Sequence, residues 1–137
     1  MQTFLPYPDI AKSVQVLDMR RLGKQRVEAH QILNVLTNQT TTKGWRNHPA
    51  TKMWEGYEEA LGFYMNACID EWKSRGYKNT MKYYSTASLS KMPAWFGGPI
   101  HSTHRSNLLR KDKQYYGKFN WSEPDNLPYY WPSHQEI

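Results

Sequence analysis

The sequence predicts an all-α fold in one compact domain, residues 1–137, with three main helices, an ordered N-terminal arm and an irregular aromatic C-terminal wrap. Two long segments carry apolar residues at spacings of three and four, as amphipathic helices do. No segment alternates apolar and polar residues cleanly enough for a strand. Six Trp, ten Tyr and four Phe in 137 residues are too many for a disordered chain. A chain of this length is expected to form one hydrophobic core.

The first element is predicted to be an ordered arm over residues 1–8. Its two prolines are incompatible with a helix interior, and its large apolar side chains need cover from the rest of the protein. Asp9 and Ser13 are suitable caps for a short helical turn that follows. We therefore expect the arm to pack against the helices.

A long helix is predicted after Asp18, a suitable N-cap. Arg21, Lys24 and Glu28 lie on its polar flank at spacings of three and four, so their head groups share one stripe. Gly23 costs about 1 kcal/mol relative to Ala, which indicates that another group approaches closely there. The apolar positions fall within a narrow arc and end where the helix should end: Leu22, Ala29, Ile32, Leu33 and Leu36.

A second long helix is predicted over residues 45–77, with Pro49 in its first turn and Gly76 as its C-terminal stop. Its core positions share one stripe: Met53, Tyr57, Ala60, Leu61, Tyr64, Cys68 and Trp72. Residues 77–100 have no clear periodicity and are expected to be irregular.

A third helix is predicted to begin near His101 and to run to about Asp112. The tail that follows, residues 115–132, alternates aromatic residues with turn residues. These aromatic side chains would form a large exposed patch unless they covered the helices. We therefore expect the tail to wrap around them, with core packing as the main role of Trp131 and base stacking as the alternative.

The net charge of +6 is concentrated in two short segments. One lies in the first long helix and carries +3: Arg20, Arg21, Lys24 and Arg26 against Glu28. The other lies in and after the third helix and carries +4: Arg105, Arg110, Lys111, Lys113 and Lys118 against Asp112. Such clusters are typical of proteins that bind a polyanion. The alternative is that a small soluble domain is basic for colloidal reasons.

Several classes of protein do not fit the sequence. There is no glycine-rich phosphate loop, no pair of metal-binding carboxylates and no serine or cysteine nucleophile motif. The single cysteine, Cys68, allows neither an internal disulfide nor a two-cysteine zinc site. No signal peptide and no membrane span are expected, since no run of apolar residues is long enough. We expect a cytoplasmic monomer without a metal or other cofactor.

The histidines are the most ambiguous candidates. His101 and His104 are three residues apart on the third helix and could share a metal, but no third ligand is evident. Contacts to phosphates, together with the neighbouring Arg105, are favoured. His48 precedes Pro49 and is either a helix cap or a site residue.

Glu28 is the most informative acid because it lies inside a basic patch. It either acts on a substrate that the patch attracts, or forms an exposed ion pair with Lys24 worth about 0.3 to 0.5 kcal/mol. Lys24 is itself a candidate amine nucleophile if Arg21 depresses its pKa, although a solvated lysine is the more common situation.

Several segments resemble the pyrimidine-dimer DNA glycosylases of the bacteriophage endonuclease V type. The resemblance lies in a basic first helix with a glutamate among arginines, an aromatic-rich second helix and a late basic segment. The chain is most similar to a bacterial and phage branch of that superfamily, over MQTFLPYPD, LDMRRLGKQRVEAHQIL, GWRNHPATKMWEGYEEAL, HRSNLLRKD and LPYYWP.

The resemblance implies a compact all-α fold and two linked activities on double-stranded DNA with a damaged or modified base. An N-terminal α-amine attacks the sugar C1′ and forms an imine, and β-elimination then cuts the strand. A glutamate on the first long helix stabilises the cationic sugar, and we assign this role to Glu28. The DNA contacts are expected from Arg21, Gln25, Arg26, His48, His101, His104, Arg105, Arg110 and Lys111. The alternative is a nucleic-acid-binding domain without chemistry.

The nucleophile is where this sequence departs from the family. The characterised enzymes lose the initiator methionine and expose a small second residue, whereas Gln2 is too large for that removal. Either the amine of Met1 takes the role, or Lys24 does, or catalysis is lost. An α-amine suits the chemistry, because its ordinary pKa of about 7.7 to 8 leaves a useful neutral fraction at physiological pH.

Overall fold

The computed structural model describes residues 2–38 and 46–132, and within these ranges the chain forms helices and no strands. This confirms the all-α prediction, and the three longest helices lie where three main helices were predicted. None of the helices in the described ranges has the length and apolar character needed to cross a bilayer. In chain order the helices are α1 (Ile10–Gln15), α2 (Met19–Leu36), α3 (Pro49–Lys52), α4 (Glu58–Ser74), α5 (Ile100–Lys111), α6 (Lys113–Tyr116) and a 3₁₀ turn (Gly117–Phe119).

The two longest helices, α2 and α4, pack against each other and form the centre of the fold. The Asp18 side chain caps α2 by accepting a hydrogen bond from the Arg21 amide at 3.4 Å. A Cβ atom on Gly23 would lie 2.9 Å from the ring of Trp72 on α4. The close approach that the glycine indicated is therefore the contact between these two helices.

The prediction of one continuous helix over residues 45–77 is wrong. Gly56 has φ +86°, a conformation that other residues rarely adopt, and the chain turns there between α3 and α4. Hydrogen bonds in the turn reach back three residues instead of four, as from Tyr57 to Trp54 at 2.8 Å. The interruption places the Trp54 side chain fully inside the core. Gly76, with φ +90°, lies just after the end of α4 and has the predicted role of a stop.

Residues 2–7 form an arm without helix or strand that is held by side chains and not by a partner strand. The Phe4 amide donates to Gln25 Oε1 at 2.7 Å, and its carbonyl accepts from the Tyr64 hydroxyl at 2.8 Å. The Trp54 indole donates to Thr3 Oγ1 at 3.0 Å. Helices α2 and α4 and the turn before α4 therefore satisfy polar groups that a β-sheet would otherwise pair.

Helix α5 holds the next part of the arm. His104 Nδ1 accepts from the Leu5 amide at 2.9 Å, and His101 Nδ1 donates to the Leu5 carbonyl at 2.8 Å. Arg105 donates to the Pro6 carbonyl at 2.7 Å. Burial lowers the pKa of His104 to about 3, so its ring is neutral and able to accept. His101 and His104, three residues apart on α5, therefore bind the two backbone polar groups of Leu5.

The C-terminal aromatic residues cover the N-terminal half of the protein, as predicted. Tyr116 is fully buried, and its hydroxyl is hydrogen-bonded to Asp18 at the start of α2. Trp121 stacks on Tyr116 with ring centroids 5.7 Å apart and donates to the Tyr7 hydroxyl at 2.8 Å. The tail therefore fixes both the arm and the first turn of α2.

Candidate active site

A cleft of about 380 Å³ opens beside the polar flank of α2. Its walls come from the arm, α2, the cap of α3, the end of α5 and the C-terminal tail. Among the lining residues that the structure describes, four have basic side chains and one has a carboxylate. The lining residues are Gln2, Phe4, Arg20, Arg21, Lys24, Gln25, Glu28, His48, Lys111, Tyr129 and Trp131.

The carboxylate of the cleft, Glu28, is half-buried and is tied to the start of the arm. Its Oε2 atom accepts from the Gln2 amide at 3.1 Å and from Gln25 Nε2 at 3.4 Å. Gln25 Nε2 also donates to the Gln2 carbonyl at 2.7 Å. The alternative ion pair between Lys24 and Glu28 is absent from the described part of the chain. The polar stripe of α2 thus faces the arm and not only solvent.

The cations of the cleft lie towards its solvent side. Arg20, Lys24 and Lys111 are exposed, and Lys111 comes from the last turn of α5. Arg21 is half-buried and forms an ion pair with Asp18 at 3.2 Å. Positive charge near the mouth of a cleft concentrates anionic ligands there.

His48 is a helix cap, one of the two roles that the sequence left open, and it also lies at the cleft. Its Nδ1 atom accepts from the Ala50 amide at 3.0 Å and so caps α3, while the ring also lines the cleft. Burial lowers the pKa of His48, which favours the neutral ring. The His48 ring packs edge-to-face against Trp131, with ring centroids 5.8 Å apart. Trp131 in turn stacks on Tyr129, also with ring centroids 5.8 Å apart. Three rings therefore form one wall of the cleft.

Four other predicted site residues are used inside the protein, in contacts with its own groups. Gln25 lines the cleft but is only 2% exposed, and its amide group is used entirely inside the protein. Arg26 lies over the ring of Trp72 at 4.6 Å and donates to Asn79. His101 and His104, which hold the arm, are buried as well. We do not include these four among the DNA contacts proposed below.

The two arginines of α5 are engaged with backbone carbonyls. Arg105 donates to Glu123 at 2.6 Å in addition to its bond to the arm. Arg110 donates to the carbonyls of Asp125 and Leu127 at 3.3 and 3.2 Å. These guanidinium groups tie the tail to α5, which is a structural use of their positive charge.

Met1 lies outside the residues that the structure describes. The described ranges contain no group of three histidine, cysteine or acidic side chains close enough to hold a metal ion. Gln2, Phe4 and Arg20 line the cleft but were not predicted as site residues. Arg20 lies four residues before Lys24 on the same helix, so the stripe that predicted Lys24 also contained a signal for Arg20. No signal of this kind was available for Gln2.

Comparison with known proteins adds one positive finding. The family model for pyrimidine dimer DNA glycosylase matches residues 1–85. The matched part contains the arm, α2, α3 and α4, and therefore most of the cleft. Searches of curated proteins and of solved structures find no match.

Proposed function

We propose that this chain, which belongs to the pyrimidine dimer DNA glycosylase family, releases a damaged or modified pyrimidine from double-stranded DNA and then acts as an AP lyase. The reaction proceeds through an imine between an enzyme amine and the sugar C1′. The observation that carries the proposal is the bond from the Gln2 amide to the Glu28 carboxylate at 3.1 Å, inside a cationic cleft. It holds Gln2 beside Glu28, the acid found among the described residues that line the cleft.

The charge of the cleft supports a DNA substrate. Arg20, Lys24 and Lys111 are exposed around its mouth, where they can neutralise phosphates and release counterions. Arg21 adds a fourth cation, partly compensated by Asp18. Phosphates held at the mouth would direct a sugar and its base towards Glu28.

We assign the nucleophile to the α-amine of Met1. Met1 is joined by a peptide bond to Gln2, whose amide donates to Glu28 at 3.1 Å, and this connection supports the assignment. The neutral amine attacks C1′, the bond from C1′ to the base nitrogen breaks, and its electron pair leaves with the base. The C1′–O4′ bond then opens, O4′ takes a proton, and C1′ becomes doubly bonded to the amine nitrogen.

Glu28 acts beside these steps as the acid–base group. Its carboxylate stabilises positive charge at C1′ and passes the proton from the attacking amine to O4′. Strand cleavage follows when a C2′ proton is removed and the C3′–O bond breaks, so that the phosphate leaves with the electron pair. The departing base takes a proton from water in place of its bond to C1′, the other protons move between the amine, the carboxylate, the sugar and water, and no step calls for a metal ion.

Lys24 is the alternative nucleophile. A lysine amine becomes nucleophilic at neutral pH in a desolvated setting or beside another cation. Lys24 is exposed at the rim of the cleft, which suits a phosphate contact better. We therefore assign Lys24 to DNA binding.

Borohydride trapping on a duplex with one abasic site tests the proposal. The expected result is a covalent protein–DNA adduct that forms in the presence of EDTA. Peptide mapping should place the sugar on the α-amine of Met1 and should identify the first residue of the protein used. Acetylation of that amine should abolish trapping, whereas Lys24→Ala should retain it and lower only the affinity.

Two results would contradict this assignment. An adduct on Lys24 that survives acetylation would make Lys24 the nucleophile. Salt-sensitive DNA binding without any adduct or base release would instead favour the non-catalytic nucleic-acid-binding domain.

A further inference from the structure

Gln2 has one polar group that nothing in the described structure satisfies. Its amide N–H is bound by Glu28, its carbonyl by Gln25 Nε2 at 2.7 Å, and its side-chain Oε1 by the Thr3 amide at 3.0 Å. The remaining group is the side-chain Nε2. This atom is buried and has no hydrogen-bond partner among residues 2–38 and 46–132.

The orientation of the Gln2 amide is fixed by chemistry. The Thr3 backbone N–H can only donate, so the side-chain atom that meets it must be the oxygen. The other atom is therefore the NH₂ group, which carries two donors. Buried donors without an acceptor are rare in native proteins, and each one calls for a physical explanation.

We propose that Gln2 Nε2 donates to a carbonyl oxygen of the base in the cleft, and thereby selects pyrimidines and assists their departure. This inference rests on the function proposed above. Gln2 lines the cleft, yet only 7% of its surface is exposed, so it belongs to the inner wall and not to the mouth. The exposed cations suit phosphates, whereas a neutral amide suits the neutral carbonyl of a base.

The chemistry of the glycosidic bond indicates which base carbonyl accepts from Gln2 Nε2, namely O2 of the pyrimidine. O2 is attached to the carbon next to the ring nitrogen that bonds to C1′. Since Glu28 acts at the sugar and binds the backbone of Gln2, the O2 atom is the carbonyl nearest to both. When the bond breaks, negative charge moves from that nitrogen onto O2, and a donor there is worth most in the transition state.

Two variants at position 2 separate this role from a structural one. Gln2→Glu keeps a side-chain oxygen that can accept from the Thr3 amide but removes the NH₂ donors. Gln2→Met removes both the oxygen and the NH₂ donors. All three side chains are large, so retention of Met1 is expected in each protein, and intact mass checks it. Each protein is assayed under single turnover for base release, measured as breakage of a base–sugar bond in a duplex with one thymine dimer. The freed base stays joined to its neighbour, so it is counted as thymine after photoreversal of the dimer. Borohydride trapping is measured on an abasic duplex.

The expected result is selective. Base release should fall about tenfold to a hundredfold in both variants, because the donor is lost. Trapping on the abasic duplex should stay within about twofold of wild type, because that substrate has no base. The matched control is Thr3→Val, which removes a buried arm bond to Trp54 and nothing from the cleft lining. It should change the two rates in the same proportion.

Three outcomes would overturn the inference. Equal losses in both assays would make Gln2 a structural part of the arm. Unchanged base release in both variants would mean that Nε2 does not contact the base. A wild-type protein that neither releases the base nor forms an adduct would overturn the proposed function, and this inference with it.

Discussion

The two basic segments of the chain look alike in sequence and differ in the folded protein. In α2, Arg20 and Lys24 are exposed and line a cleft. In α5, Arg105 and Arg110 donate to backbone carbonyls of the arm and the tail. Lys111 is the one cation of the α5 cluster that reaches the cleft among the described residues.

The difference shows that local charge does not say what a cation is used for. An arginine has five N–H donors in a fixed fork, so it can join carbonyls from two segments while remaining charged. Arg105 joins the Pro6 carbonyl to Glu123 in this way and lowers the pKa of that carboxyl group. The α5 cluster therefore acts mainly as a tie between chain ends, and the α2 cluster mainly as a ligand surface.

The largest expected effect is on catalysis in the α2 region. Glu28→Gln should lower base release at least about a hundredfold, because the acid–base group is lost. The glutamine oxygen can still accept from the Gln2 amide, so the arm should stay in place. DNA affinity should be unchanged or higher, since a negative charge is removed from a phosphate-binding cleft. Single-turnover rates measure base release, and binding isotherms measure DNA affinity. A Glu28→Gln protein with wild-type rates would show that Glu28 is not catalytic.

The next effect is on stability and should separate the two clusters. Arg105→Met should lower the free energy of unfolding by about 2 kcal/mol, because two charge-assisted hydrogen bonds are lost and Glu123 is left unpaired. Arg20 is exposed on α2, so Arg20→Met should change the free energy of unfolding by less than about 0.5 kcal/mol. Urea unfolding of both variants measures the difference. Equal losses would contradict the division of roles.

A third prediction concerns pH, through the buried His104. The unfolded ring has an ordinary pKa of about 6.5, and burial lowers it to about 3 in the folded protein. The folded state binds fewer protons between these values, so stability is full above pH 6.5 and falls as the pH is lowered towards 3. The slope from this one group approaches about 1.4 kcal/mol per pH unit. His104→Asn should lower the measured slope by about one proton, and an unchanged slope would contradict this origin.

The smallest effect is on the salt dependence of DNA binding. Lys24→Gln should reduce the slope of log K against log salt by about one, since one phosphate contact is lost. Arg110→Gln should leave the slope unchanged, because the guanidinium group is bound to the tail. Binding titrations at several salt concentrations test this. If Arg110→Gln also reduced the slope by about one, Arg110 would contact DNA after all.

The helices that sequence reasoning predicted well are those set by local interactions. Asp18 caps α2, and the apolar arc of α2 packs on α4, both as expected from short-range spacing. The second helix was predicted too long because Gly56 was not recognised as a turn residue. The turn depends on burial of Trp54 in the core and on its hydrogen bond to Thr3, which is 51 residues away in sequence. Periodicity within one segment contains no information about such a contact.

The candidate site was predictable to the same degree. Lys24 and Glu28 were identified from their spacing on one helix, and His48 from its position before a proline. The uses of Gln25, His101 and His104 were not, because each depends on where the arm passes. Basic and polar side chains look identical in sequence whether they meet a phosphate or a backbone carbonyl. Only the path of residues 2–7 decides between the two.

The way the arm is held has a consequence for the order in which the protein is built. Leu5 is synthesised before its partners His101 and His104, which are 96 and 99 residues further along the chain. The backbone of Leu5 must therefore wait for α5, whereas Phe4 can bind Gln25 and Tyr64 earlier. A nascent or truncated chain that ends before α5 would contain Glu28 and its cations but not the bonds that hold Leu5. The two bonds of Leu5 would therefore form as a late step of folding, after α5 has been synthesised.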